Sequence, residues 1–249
     1  AGTLYGIHVD VSDGLLTWDD LTTPLTWMDT VIDQQPVTLR HGKPIEINAL
    51  WYSALCWASR WAERLNSEPD LTGNDRLTNQ ARRYAQQAEE VKASLQKYWN
   101  SQNNYLYDRI APDDRKDAAI RPNAVIALCL QHCAFSPEQG KQVLEVACDR
   151  LLTPYGLRTL DPENPAYRGR CRGTPRQRDL SYHQGTVWSY LLGPFIRAWK
   201  RCYGNGTRLP LDLNPLLHHF SEETCFWAIS EIFDGNAPHK PRGAIAQAS

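Results

Sequence analysis

The side chains of this sequence best suited to chemistry are carboxylates, and two of them sit in unusual company. Asp29 closes the segment LTWMD, and Glu231 lies far along the chain in ISEIFDG. A protonated carboxyl can donate to a leaving oxygen while an ionised one takes a proton from water, so such a pair supports general acid–base hydrolysis. An isolated acid in a loop equally caps a turn, and Asp13, Asp19, Asp20, Asp33, Glu46 and Asp234 compete with both. Three further polar clusters are LRHGKPIEINALWY, IRPN and LSYHQGTVW. In the first, Arg40, His41 and Lys43 precede Glu46 and Asn48, a carboxylate and an amide that can each bind adjacent hydroxyl groups. In the third, His183 and Gln184 stand just before Gly185, where the missing side chain permits close approach.

Aromatic content narrows the ligand. The chain holds 9 Trp, 11 Tyr and 5 Phe, more indole than packing usually needs. Flat aromatic faces suit the C–H faces of sugar rings while polar neighbours take the hydroxyls. Trp27, Trp51 and Trp188 are the candidate platforms; Trp51 also fits an apolar helix stripe, which favours core packing for it. Arg121 in IRPN is expected to pair with Asp113, Asp114 or Asp117. No GxGxxG after a strand, Walker loop, GxSxG or HExxH is present, and His218-His219 are adjacent, which directs them differently along a helix. Neither a metal nor another cofactor is expected.

Lys+Arg 27 against Asp+Glu 28 give a formal charge of -1, so no global field draws the chain to nucleic acid or an acidic membrane. No apolar run approaches the roughly 20 residues that span a bilayer, and AGTLYGIHVDVSDG lacks the features of a signal peptide. Seven cysteines without a CxxC pair read as reduced thiols. A cytoplasmic protein is the expectation, and 249 residues at 42% hydrophobic content suit one domain over 1–249.

Helices must position these clusters. Residues 1–45 read as loops and short strands. From Glu46, the residues Ile47, Leu50, Trp51, Ala54, Leu55, Ala58, Trp61 and Leu65 recur at helical spacing. A second helix is predicted over about 75–99, with Tyr84, Ala88, Val91, Leu95 and Trp99 on one face, a third over 124–135 and a fourth from Ser136-Pro137 through Leu151. The stretch 153–181, with six arginines and many Pro and Gly, reads as a long loop serving a site. Helices are then predicted over 185–203 and about 210–228, and a last one from Ala244. Helix following helix, with polar loops gathered at one end, predicts an all-α toroid.

The blocks RHGKPIEINALWY, YHQGTVW and SEIFDGNAPHKPRGAIAQA, together with LTWMD, resemble the C-terminal amylo-α-1,6-glucosidase domain of glycogen debranching enzymes, over roughly the whole chain. That resemblance implies an (α/α)6 barrel, cytoplasmic glycogen breakdown, and inverting hydrolysis of the single glucose left on an α-1,6 branch of glycogen or limit dextrin. It makes Asp29 the acid and Glu231 the base, and it places Trp27, Arg40, His41, Lys43, Glu46, Asn48, His183, Gln184 and Trp188 against substrate. The family's domain has further helices ahead of the first residue here. About seven helices make only part of a closed ring, so self-association through open apolar faces is a further expectation. A related α-glucosidase on another substrate and a non-catalytic glucan-binding module are the alternatives.

Overall fold

A computed structural model describes residues 3–68, 75–223 and 227–245. Seven α-helices occur among them: α1 (Ile45–Asn66), α2 (Asp75–Leu95), α3 (Asn123–Cys129), α4 (Pro137–Arg150), α5 (Pro175–Ser181), α6 (Leu192–Tyr203) and α7 (Asn214–Glu222). Helices α1, α3 and α6 touch in a row; α2 packs on α1, and α4 on α3 and α6. The result is a helix-on-helix layer, with a cluster of buried apolar residues running from Leu15 to Ile232.

Local sequence explains most of these helices. α1 buries Ile45, Ala49, Tyr52, Leu55, Ser59 and Ala62, a stripe spaced three and four residues apart. This stripe is rotated from the expected one, leaving Leu50, Leu65 and Trp61 outside, Trp61 at 62% exposure. The buried face meets α2 at Ser59, whose Oγ donates to the Ala81 carbonyl of α2 at 3.0 Å. α4 starts at a reciprocal capping box, Ser136 with Gln139, and Pro137 occupies its first turn.

The all-α expectation is corrected by an antiparallel sheet of five short strands: Leu152–Thr153, Gly156–Arg158, Val187–Trp188, Ser230–Phe233 and Pro241–Ile245, in that order. The stretch read as one long loop therefore contributes a strand and also α5, which starts at a second capping box, Thr174 with Gln177. The helix expected over 185–203 begins only at Leu192, because Val187 and Trp188 pair with Phe233 and Ile232. No helix begins at Ala244. Pro241 and Gly243, the latter at φ 72°, hold that segment in the sheet; residues 246–249 lie outside the described residues. No helix among the described residues is long and apolar enough to cross a membrane, and the six cysteines described are free thiols.

Candidate active site

The segments leading into α1, α3 and α6 meet at one end of the helix row, where a buried polar network ties them together. Arg40, 4% exposed, pairs with Glu46 of α1 and donates from Nε to Asp108 Oδ2 at 2.8 Å. Asp108 also accepts from Asn123 Nδ2 at 2.7 Å, and Asn123 Oδ1 in turn accepts the Trp27 indole N–H at 2.8 Å. Burial works against charge at both Arg40 and Asp108. Their mutual attraction, with Glu46 adding to Arg40 and Arg121 to Asp108, outweighs it, holding Asp108 ionised below the usual carboxylate range and Arg40 protonated. Arg121 does not pair with the acids expected for it. It donates to the Thr159 and His183 carbonyls at 3.0 and 2.9 Å and to Gln184 Oε1 at 2.8 Å, fixing the segment that leads to α6.

This network anchors the LTWMD segment. Trp27 is held by Asn123, and Met28 is fully buried with its sulfur near Arg121 and Asn123. Asp29, next in sequence, is left exposed at the mouth of a cavity. From the other side, the strand Ser230–Phe233 delivers Glu231 to the same cavity that Trp188 of the neighbouring strand lines.

The cavity has a volume of about 460 Å³ and is lined by Trp27, Asp29, Tyr182, His183, Trp188, Tyr190 and Glu231. That volume lies within the roughly 300–1,000 Å³ of small-ligand sites. Trp27 stands edge-on to Trp188 and Tyr190, each at 5.6 Å between centroids, and the His183 ring stacks on Trp188 at 5.3 Å. The Trp188 indole N–H is shared between the Tyr182 carbonyl and Thr186 Oγ1, both at 3.2 Å. These are rigid aromatic walls with few free polar groups. His183 Nδ1 meets Thr30 Oγ1 at 3.0 Å, while its buried Nε2 has no partner among the described residues. Burial, reinforced by the Arg121 and Arg40 charges, pushes His183 down to about 3, so the ring is neutral near pH 7. The Glu231 carboxylate accepts from the Tyr182 hydroxyl on Oε1 and from the Ala244 N–H on Oε2, the latter at 2.8 Å. Burial, then the bond to Glu231, its charge and that of Asp29, push the Tyr182 phenol well above its ordinary range. It stays a donor within electrostatic reach of both acids.

Of the residues singled out in the sequence, Asp29, Glu231, Trp27, His183 and Trp188 line this cavity, and Arg40, His41, Lys43, Glu46, Asn48 and Gln184 do not. Glu46 and Asn48, expected to grip sugar hydroxyls, are engaged inside the protein. Glu46 is spent on Arg40, and Asn48, fully buried, exchanges hydrogen bonds with the Leu16 backbone and donates to the Pro44 carbonyl. Lys43 bridges Asp10 and Asp13 at 2.6 and 2.9 Å, and Gln184 spans Arg121 and the Val37 carbonyl. His41 is half-buried, its carbonyl accepting from Arg109 at 3.1 Å; burial and the Arg109 charge lower its pKa. Trp51 packs against the core with its N–H on the Gly14 carbonyl. Two wall residues escaped the sequence reading, Tyr182 and Tyr190. The first stands inside the YHQGTVW block, which was the available signal. Among the described residues no group of three or more His, Cys, Asp or Glu is arranged to hold a metal ion.

A family model described as amylo-alpha-1,6-glucosidase matches residues 1–249. The chain is 30% identical over 226 residues to the glycogen debranching enzyme of Saccharomyces cerevisiae, an alignment covering 78% of this chain and 15% of that protein, so it spans only a small part of that relative. Among solved structures, an uncharacterized conserved protein from Thermus thermophilus superposes with a TM-score of 0.55 at 14% identity, covering 81% of this chain and 43% of that one. The GH63 mannosylglycerate hydrolase of the same organism, in complex with glucose, gives 0.54 at 12%, covering 80% and 41%. At such identities the likeness concerns the fold alone, and the fold of those neighbours is of the (α/α)6 type.

Proposed function

Since the chain belongs to the amylo-alpha-1,6-glucosidase family, we propose that it hydrolyses the α-1,6-linked glucose at branch points of glycogen or a limit dextrin, with inversion at the anomeric carbon. The observation that carries this reading is the cavity that Asp29 and Glu231 both face, two carboxylates from distant parts of the sequence, with indole and phenol rings as its other walls. An inverting glycosidase needs one carboxyl to protonate the leaving oxygen and one carboxylate to activate water on the opposite face, roughly 6.5–9.5 Å apart. Asp29 is the acid and Glu231 the base. Trp27, Trp188 and Tyr190 offer apolar faces to the glucosyl ring, with His183, neutral near pH 7, stacked behind Trp188.

Incubation with a phosphorylase limit dextrin, followed by proton NMR of the first product, tests this. Initial release of β-glucose, lost in Asp29→Asn and Glu231→Gln, is expected. Hydrolysis of small α-glucosides with no action on the dextrin redirects the substrate assignment. Glycogen binding without turnover, unchanged in both variants, overturns the catalytic reading.

A further inference from the structure

We propose that Tyr182 and the Gly243–Ala244 backbone form a two-sided clamp on the Glu231 carboxylate, with Tyr182 a positioning residue for the base. The proposal rests on the hydrolytic reading above for its kinetic consequence, but its geometry stands apart from that reading.

Glu231 lies in the strand Ser230–Phe233, which would leave its side chain free to change rotamer at the cavity wall. Two contacts remove that freedom. On one side the Tyr182 hydroxyl donates to Oε1. On the other the Ala244 N–H donates to Oε2 at 2.8 Å, from a neighbouring strand that a register irregularity between Ser230 and Ile232 sets against Glu231. Gly243 makes the second contact possible. A Cβ there would come within 2.4 Å of Glu231 Oε2, and its φ of 72° is one that residues with side chains rarely adopt.

Tyr182 is itself held in place. Its carbonyl accepts from Thr186 Oγ1 at 2.5 Å and from the Trp188 indole at 3.2 Å, and its ring meets Trp188 edge-on at 5.0 Å. The clamp therefore connects the base to the same indole that forms the sugar-facing wall. A carboxylate held by one donor on each oxygen keeps a lone pair on each for water, and its aim is fixed before substrate arrives, the preorganisation that general-base catalysis rewards.

The test has two arms on the full chain. With ring-labelled tyrosine, the Tyr182 carbon signal is identified by its loss in Tyr182→Phe and followed through a pH titration. In the wild type the phenol is expected to stay protonated past the ordinary tyrosine midpoint near 10, and in Glu231→Gln to titrate earlier. Identical titrations in the two proteins overturn the clamp, whether or not the chain hydrolyses anything. In the kinetic arm, Tyr182→Phe and Gly243→Ala, each checked for an unchanged fold by circular dichroism, are expected to lower kcat on limit dextrin about 10- to 100-fold with KM within about twofold. An unchanged kcat in Tyr182→Phe overturns the positioning role and leaves the hydrolytic reading standing. An inactive wild type whose Tyr182 titration still depends on Glu231 upholds the clamp and removes the hydrolytic reading instead.

Discussion

Two groups of acids lie close together at one end of the helix row and are put to opposite uses. In the buried network, Glu46 and Asp108 surround Arg40 with side-chain exposures of 2–3%, every charge facing a partner. At the cavity, Asp29 is exposed, Glu231 is half-buried, and their neighbours are aromatic rings and a neutral histidine. Trp27 joins the two regions, its N–H on Asn123 of the network and its ring on the cavity wall. The difference shows how a polar residue inside a conspicuous motif serves the site: some groups meet the ligand, and others exist so that the first kind cannot move.

Exchanging the uses should separate activity from stability. Asp29→Asn and Glu231→Gln are expected to cut kcat/KM on limit dextrin on the order of 10³-fold, with thermal midpoints within a few degrees of wild type, measured by differential scanning fluorimetry. Arg40→Ala is expected to behave in the reverse way. Removing the central cation strands two buried carboxylates, a loss of about 3–5 kcal/mol that chemical denaturation would read directly. A stable Arg40→Ala protein with impaired turnover would return Arg40 to the substrate and erase the distinction.

That distinction was only partly legible in the sequence. Periodicity found α1, α2 and α4, because long amphipathic runs and the Ser136 cap carry local signals. It missed the sheet: the strands are two to five residues long, and Pro241–Ile245 contains Pro and Gly, which read as loop. α5 hid among Pro, Gly and Arg although Thr174 and Gln177 spell a capping box. For the site, the blocks containing Asp29 and Glu231 stood out through resemblance alone. Nothing local could tell that Glu46 turns inward, since its partner Arg40 is fixed there together with the second acid it binds, Asp108, only when a loop and two strands fold over the start of α1.

The cavity side of the comparison also has a pH signature. Unfolded, His183 takes a proton near 6.5; folded, it resists until about 3. Below 6.5 the unfolded chain therefore binds the proton that the folded chain refuses, so stability falls as pH drops from 6.5 toward 3 and is independent of this group above that window. The slope from one such group is at most about 1.4 kcal/mol per pH unit. Urea midpoints at pH 7.5 and pH 5 are expected to differ less in His183→Gln than in wild type; an equal difference would mean that the ring is already protonated in the folded protein.

The smallest expected effect tests whether burial, rather than the mere presence of an ion pair, marks the structural region. Asp13 accepts from two lysines at nearly the same distance, Lys43 at 2.9 Å and Lys97 at 2.8 Å, but the Lys43 side chain is 11% exposed and that of Lys97 is 49% exposed. Burial raises the Asp13 pKa, and the two lysine bonds outweigh it to leave a net depression. Lys97→Ala is therefore expected to lose no more than about 1 kcal/mol, and less in high salt, since its exposed ammonium is screened. Lys43→Ala removes the cation that also binds Asp10, and it should cost several times more with little salt dependence. Equal losses for the two variants in urea titrations would show that distance alone sets the strength of these pairs.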